Sequence, residues 1–250
     1  FRHFICCLRT EMKSIYAIVF CFCSLCIFQN ANAQVGSDLL IKANRATLQR
    51  QYTLAINYYN QYIKLNPKDF RGYFNRGTTE YNAGLYKEAV QDFTKTLDYN
   101  PIYKEAYYYR GQTFAELKNY NAALIDYNYV LKKDSFNVPF LKLRSEAYAK
   151  LNKQNQALTD LNNAISVDRL SGDLYKRRAE LKVEMKDVNG ALRDYSSVEK
   201  LLPSYKMVHY LKGSLYLELR ETEFACEELK EALENNVVVA EYSYNSNCKS

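Results

Sequence analysis

The sequence predicts an all-α protein built as a solenoid of about six helix-turn-helix repeats. Three observations carry this. A pattern returns every 34 residues: Gly77 recurs as Gly111, Ala89 as Ala123, Asp92 as Asp126, Asp160 and Asp194, and Arg76 as Arg110, Arg144 and Arg178. A fixed period of this length marks stacked supersecondary units. Within one period, Tyr73, Gly77 and Tyr81 are spaced by four, as are Ala89, Phe93 and Leu97, so each trio shares one helical face. Gly84 breaks the first run, and Asn100-Pro101 ends the second, because the residue before a proline is pushed out of the helical region.

The amino-terminal stretch reads differently from the repeats. Phe1–Glu11 has no initiating methionine and reads as an upstream extension. From Met12 the pattern is that of a cleavable secretory signal: Lys13, an apolar core over Ile15–Phe28, then Ala31-Asn32-Ala33 before Gln34. That core is short for a membrane anchor, which needs about 20 apolar residues. Leu25 before Cys26 is too large for a lipoprotein signal. The expectation is an exported chain starting at Gln34, periplasmic or secreted and not membrane-spanning.

Cleavage there removes five of the seven cysteines and leaves Cys226 and Cys248. Two cysteines in an exported protein predict one disulfide. Cys226 lies ten residues before the Asn235-Asn236 stop and Cys248 twelve residues after it. If the tail returns as a helix, the two sulfurs arrive nearly level. The remaining 31 basic and 27 acidic residues, from 34 and 28 in the whole chain, are too balanced for a nucleic-acid partner.

The repeats follow in order. The first, 36–69, is degenerate in its first helix and keeps Ala43, Ala55, Tyr59 and Pro67. The second, 70–103, is complete. The third, 104–137, keeps Tyr107, Gly111, Ala123 and Tyr127, with Ser135 where proline would stand. The fourth, 138–171, keeps Leu141, Ser145, Ala157, Leu161 and Ala164, and the fifth, 172–205, keeps Tyr175, Ala179, Ala191, Tyr195 and Pro203. The sixth, 206–236, keeps Gly213, Tyr216, Ala225, Leu229 and Ala232. Residues 237–250 form a tail expected to cap the last open face.

Tyr73, Gly77, Ala89, Phe93 and Pro101 place an aromatic, a small residue, an alanine, an aromatic and a proline at repeat positions 4, 8, 20, 24 and 32. This pattern resembles the tetratricopeptide repeat. The resemblance implies a right-handed superhelix whose first helices line a protein-binding groove.

Recurrence also decides what is structural. Eleven of the 24 tyrosines fall at positions 4, 11, 17 and 24, where a ring packs and its hydroxyl reaches water. Position 7 holds Arg76, Arg110, Arg144, Arg178 and Lys212, and position 23 holds Asp92, Asp126, Asp160, Asp194 and Glu228. A feature repeated this often is an ion-pair ladder between helices and not a reactive centre. His209, one of two histidines, falls at packing position 4. No nucleophile-base set, metal-ligand spacing or phosphate loop is visible, so no cofactor, no metal and no catalysis are expected.

The expected function is protein or peptide binding. The resemblance places the groove at positions 2, 5, 6, 9, 12 and 13 of the first helices. In repeats two and three these hold Arg71, Phe74, Asn75, Thr78, Tyr81, Asn82, Tyr108, Tyr109 and Gln112, an aromatic and hydrogen-bonding set. In repeats four and five they hold Lys142, Glu146, Lys150, Lys176, Arg177 and Glu180, a charged set. Members of the family that bind chaperone tails use a carboxylate clamp. Here its positions hold Leu40, Asn44, Asn75, Glu105 and Tyr109, and Glu105 would repel a carboxylate, so that ligand is not expected. The alternative is a glycan-binding accessory protein that uses the groove tyrosines.

Overall fold

A computed structural model describes residues 34–249. The signal sequence, its cleavage site and the five amino-terminal cysteines lie outside the described residues. Those described form thirteen α-helices and no strand. Helix α1 spans 34–48. It is followed by α2 (Tyr52–Leu65), α3 (Phe70–Asn82), α4 (Tyr86–Tyr99) and α5 (Lys104–Glu116). Then come α6 (Tyr120–Lys133), α7 (Val138–Lys150), α8 (Gln154–Val167), α9 (Gly172–Glu184) and α10 (Val188–Leu201). The chain ends with α11 (Met207–Glu218), α12 (Thr222–Glu234) and α13 (Ala240–Cys248). Two compact units divide between Thr113 and Phe114, within α5.

In the first unit, α3 packs on α4 and α2 on α3. The close approach of α3 to α4 depends on small residues. Gly77 is buried, and a methyl group added there would lie 3.0 Å from the Phe93 ring and 3.1 Å from Asp92 Cβ. Ala89 and Phe93 have no exposed surface. Two tyrosine hydroxyls tie repeats to the turn before them: Tyr73 donates to the Pro67 carbonyl and Tyr107 to that of Pro101, each at 3.0 Å.

The second unit packs α6 to α13 in sequence, each helix against the next. Tyr127, Leu161, Tyr195 and Leu229, all at repeat position 24, are buried, as are Ala157, Ala191 and Ala225 at position 20. Ala240 and Val237 seat α13 against Leu229 and Ala232 of α12, and Cys226 and Cys248 face each other with their Cα atoms 5.6 Å apart, the separation a disulfide requires.

The turn within each pair passes through positive φ at the same register. Gly84 sits there at φ 77°. Elsewhere the position is held by Arg50, Lys118, Asn152, Lys186 and Arg220, at φ between 55° and 64°. Side-chain-bearing residues reach this left-handed region at a cost that glycine does not bear.

The arginine ladder forms within repeats. Arg76 grips Asp92, Arg144 grips Asp160 and Arg178 grips Asp194, each through Nε and Nη2 at 2.6–2.9 Å. Lys212 pairs with Glu228 in the same way of crossing from first to second helix.

Candidate functional site

In the first unit the structure gathers four of the sequence-predicted groove residues into one aromatic cluster. The Phe74 ring lies 4.9 Å from Tyr103, 5.7 Å from Tyr109 and 5.9 Å from Phe93, centroid to centroid. Tyr109 stacks on Phe93 at 5.8 Å and meets Tyr81 at 6.2 Å and Tyr108 at 5.4 Å. Edge-to-face contacts of this kind add to what burial alone gives. Phe74, Tyr81, Tyr108 and Tyr109 are all half-buried, so the rings pack on one another and still present surface. Asn75, Thr78 and Gln112 are also half-buried, and Asn82 is exposed. The Thr78 hydroxyl donates to the Phe74 carbonyl at 2.8 Å.

Arg71 is placed apart from this cluster in its chemistry. It folds back on Asp69, with Nη2 to Oδ2 at 2.6 Å, and stays largely exposed. Asp69 caps α3 by accepting from the Arg71 backbone amide and also accepts from the Tyr62 hydroxyl at 2.5 Å. Burial, and then the Asp69 carboxylate, push the Tyr62 hydroxyl up to about 12.

The second unit carries the charged set. Lys142 Nζ lies 2.6 Å from Asp173, Arg177 Nε lies 3.3 Å from the same carboxylate, and Arg177 Nη1 pairs with Glu146. Burial raises the Glu146 carboxyl against the opposing pull of Arg177 and Lys142. Asp173 is partly buried too, which acts upward, but its bonds to Lys142 and Arg177 leave it below the usual carboxylate range. Glu146, Lys150, Arg177, Glu180 and Glu184 surround a cavity of about 230 Å³ floored by Ala157 and Leu161. Lys176 points its ammonium at the Tyr205 ring, 4.3 Å from the centroid. Asp173 completes the cluster; sequence reasoning passed over it, although its place at position 2 of repeat five is a groove position.

His209 is buried, and its Nδ1 is 2.9 Å from Glu228 Oε2. Buried Lys212 bridges Glu228 and Glu199, and His209, Glu199 and Glu228 border a second cavity of about 460 Å³ with Tyr205 and Lys206. No group of three or more His, Cys, Asp or Glu among the described residues is arranged to hold a metal ion.

A tetratricopeptide repeat model matches residues 42–97 and 75–138. No curated protein matches the chain. Among solved structures, a tetratricopeptide repeat protein from Parabacteroides merdae aligns at 22% identity over 84% of this chain and 83% of its own, with a TM-score of 0.62. PilW, a type IV pilus biogenesis factor, aligns at 15% identity over 81% and 94%, with a TM-score of 0.67. YrrB, described as a tetratricopeptide protein with an unusual peptide-binding site, aligns at 18% over 75% and 97%, with a TM-score of 0.62. At these identities the likeness is one of fold.

Proposed function

Starting from a chain that belongs to the tetratricopeptide repeat family, we propose that it is a non-enzymatic, exported protein-interaction module. The first helices of its repeats bind a partner as an extended or helical peptide segment. One observation carries this reading: Phe74, Tyr81, Tyr108 and Tyr109 form a mutually braced aromatic surface beside the polar groups of Asn75, Thr78 and Gln112. Rings already held by their neighbours lose little freedom on binding, which favours them as anchors. The partner segment would carry an apolar or aromatic side chain for this surface. The charged set around Glu146 and Arg177 offers polar selection in the second unit. Glycan binding is less well supported, because stacking on a sugar needs free ring faces and Tyr109 already stacks on Phe93.

Export rests on the Lys13 to Ala33 pattern, and amino-terminal sequencing of the secreted chain should return Gln34 as its first residue. The binding test is a peptide selection on the purified protein, followed by Tyr108→Ala. Tyr108 is the cleaner choice than Phe74, whose ring is wedged against three others. Affinity for a selected peptide should fall about 30-fold, equivalent to about 2 kcal/mol, with helicity unchanged. Full affinity in folded Tyr108→Ala would move the site off this face.

A further inference from the structure

Two equivalent turns in the second unit hold large apolar side chains out in water. Phe136, between α6 and α7, is 57% exposed, and Leu170, between α8 and α9, is 80% exposed. They are 34 residues apart, so they occupy the same position of successive repeats and the same end of the helix pairs. Val167, the last residue of α8, is exposed beside Leu170. The first unit holds Ile102, 74% exposed, at the same register position.

The turns do not need apolar residues there. Their shape is held by carboxylates: the Leu170 backbone amide donates to Asp168 at 3.2 Å, and the Asn137 side chain donates to Asp134 at 2.9 Å. The equivalent position in the next repeat is Ser204, in a turn built without an apolar side chain at that place. Neither Phe136 nor Leu170 borders the cavities at Glu146 and His209. A single exposed apolar side chain needs no explanation, but Phe136, Leu170 and Val167 stand together along one edge of successive repeats, and an apolar patch marks a contact surface.

The surrounding charge says with what. Lys132 and Lys133 precede Phe136 and Arg169 precedes Leu170; Lys133 lies over the Tyr129 ring and reaches its hydroxyl at 2.9 Å, and Lys132 and Arg169 have no carboxylate or ring partner in the described contacts. Lys200 and Lys206 flank the Ser204 turn, Lys200 beside Glu199 and Lys206 at the cavity bordered by Glu199 and Glu228. The two acidic residues of these turns, Asp134 and Asp168, are engaged in the turns themselves. Glu199, next to Lys200, is committed to buried Lys212. Apolar tips set among cations match the boundary layer of an anionic bilayer, where the tip enters the headgroup region and the cations meet phosphate. No described helix is long and apolar enough to cross a membrane, so the contact is one of surface association.

We infer that the edge carrying Phe136 and Leu170 docks on an anionic phospholipid surface. Phe136 and Leu170 are not among the residues proposed for peptide binding, so either reading can fail alone.

The chain contains no tryptophan, so a single one can report on each place. The reporters are Phe136→Trp and Leu170→Trp, with Asn155→Trp as control. Asn155 is exposed in the first turn of α8, at the far end of the helix that ends beside Leu170, about 20 Å away. Each is read in the full chain, so any membrane contact by Ile15–Phe28 is common to all three. With vesicles of equal parts phosphatidylglycerol and phosphatidylcholine, emission from positions 136 and 170 should shift to the blue and be quenched by brominated acyl chains. Pure phosphatidylcholine should give a small response, and position 155 none. Adding Lys132→Glu, Lys133→Glu and Arg169→Glu to the Phe136→Trp chain should abolish the response, with circular dichroism showing retained helix. The inference is overturned if positions 136 and 170 behave like 155. It is equally overturned if neutral and anionic vesicles act alike, or if only added protein shifts the emission.

Discussion

Arg144 reaches sixteen residues forward to Asp160 and holds it with two nitrogens, Nε at 2.8 Å and Nη2 at 2.7 Å. Its remaining Nη1 reaches sixteen residues back to Asn128 Oδ1, at 2.7 Å. The same three-way arrangement joins Arg76 to Asp92 and Asn60, and Arg178 to Asp194 and Asn162. Each arginine therefore ties the two helices of its own repeat and the second helix of the repeat before. The guanidinium fork is what allows this, since an ammonium lacks its fixed geometry.

Asp160 is 3% exposed at its side chain, so removing its partner leaves a buried carboxylate uncompensated. Arg144→Ala should cost about 3 kcal/mol in urea unfolding. Arg144→Lys should recover only part of that, and Asn128→Ala should cost about 1 kcal/mol. Equal effects of Lys and Arg at this position would show that charge alone matters.

Glu80 sits where Phe114, Tyr148 and Tyr216 place rings in other repeats. It is 7% exposed and its Oε2 has no hydrogen-bond partner among the described residues. Arg76 is taken by Asp92 and stands 3.9 Å from Glu80. Burial, then the Asp92 carboxylate, push the Glu80 carboxyl from 4.5 up to about 8, with Glu88 adding to the push and Arg76 opposing it. The folded protein thus keeps a proton that the unfolded chain releases at lower pH. This contribution to stability is complete below pH 4.5 and is lost as pH rises toward 8. Glu80→Gln should flatten the fall in melting temperature across that range. At pH 8 it should be more stable than the parent by about 2 kcal/mol, the cost of an unsatisfied buried group. A parent and a variant with parallel pH profiles would remove Glu80 as the cause.

The left-handed turn residues predict gains from glycine. Lys186 at φ 64° and Arg220 at φ 61° carry side chains where Gly84 has none. Lys186→Gly and Arg220→Gly should each stabilise by about 1 kcal/mol, seen as a rise of about 2–4 °C in melting temperature for a protein of this size. Asn152→Gly should gain less, because asparagine tolerates this conformation. Gly84→Ala should lose a similar amount.

Much of this was legible from the repeat register. Position 8 against position 20, and position 7 against position 23, emerge as helix contacts because each side chain faces inward at every turn of the pattern. Register gives a face but not a depth. It could not show that Phe74 and Tyr109 would spend part of their surface on each other and on Phe93. It also missed Asn60, Asn128 and Asn162, because a neutral amide at position 25 reads as an ordinary exposed residue until an arginine from the next repeat reaches it. Register points Arg71 toward the groove, but Asp69, two residues away, takes its guanidinium locally. Glu80 breaks its register outright, and only packing shows that its neighbouring cation, Arg76, is already held by Asp92.

The last helix is expected to depend on a Cys226–Cys248 bridge. α13 has nine residues, too few to persist alone in water, where isolated helices shorter than about 12–15 residues are marginal. Its apolar attachment is small, chiefly Ala240 and Tyr244 with Val237 just before it, while Tyr242 faces solvent. The Cys226–Cys248 bond closes a segment with a sequence separation of 22, and such a closure contributes about 3 kcal/mol. Cys248→Ser should therefore lower the melting temperature and raise hydrogen exchange over 240–248, leaving exchange in α7 and α8 unchanged. Formation of the bond needs an oxidising compartment, so protein recovered from an exported fraction should carry it and protein from a reducing cytosol should not. Intact mass measured without reductant, before and after thiol alkylation, reads the difference directly. Two alkylated cysteines in the exported protein would leave α13 held by Val237, Ala240 and Tyr244 alone, and the Cys248→Ser variant would then melt with the parent.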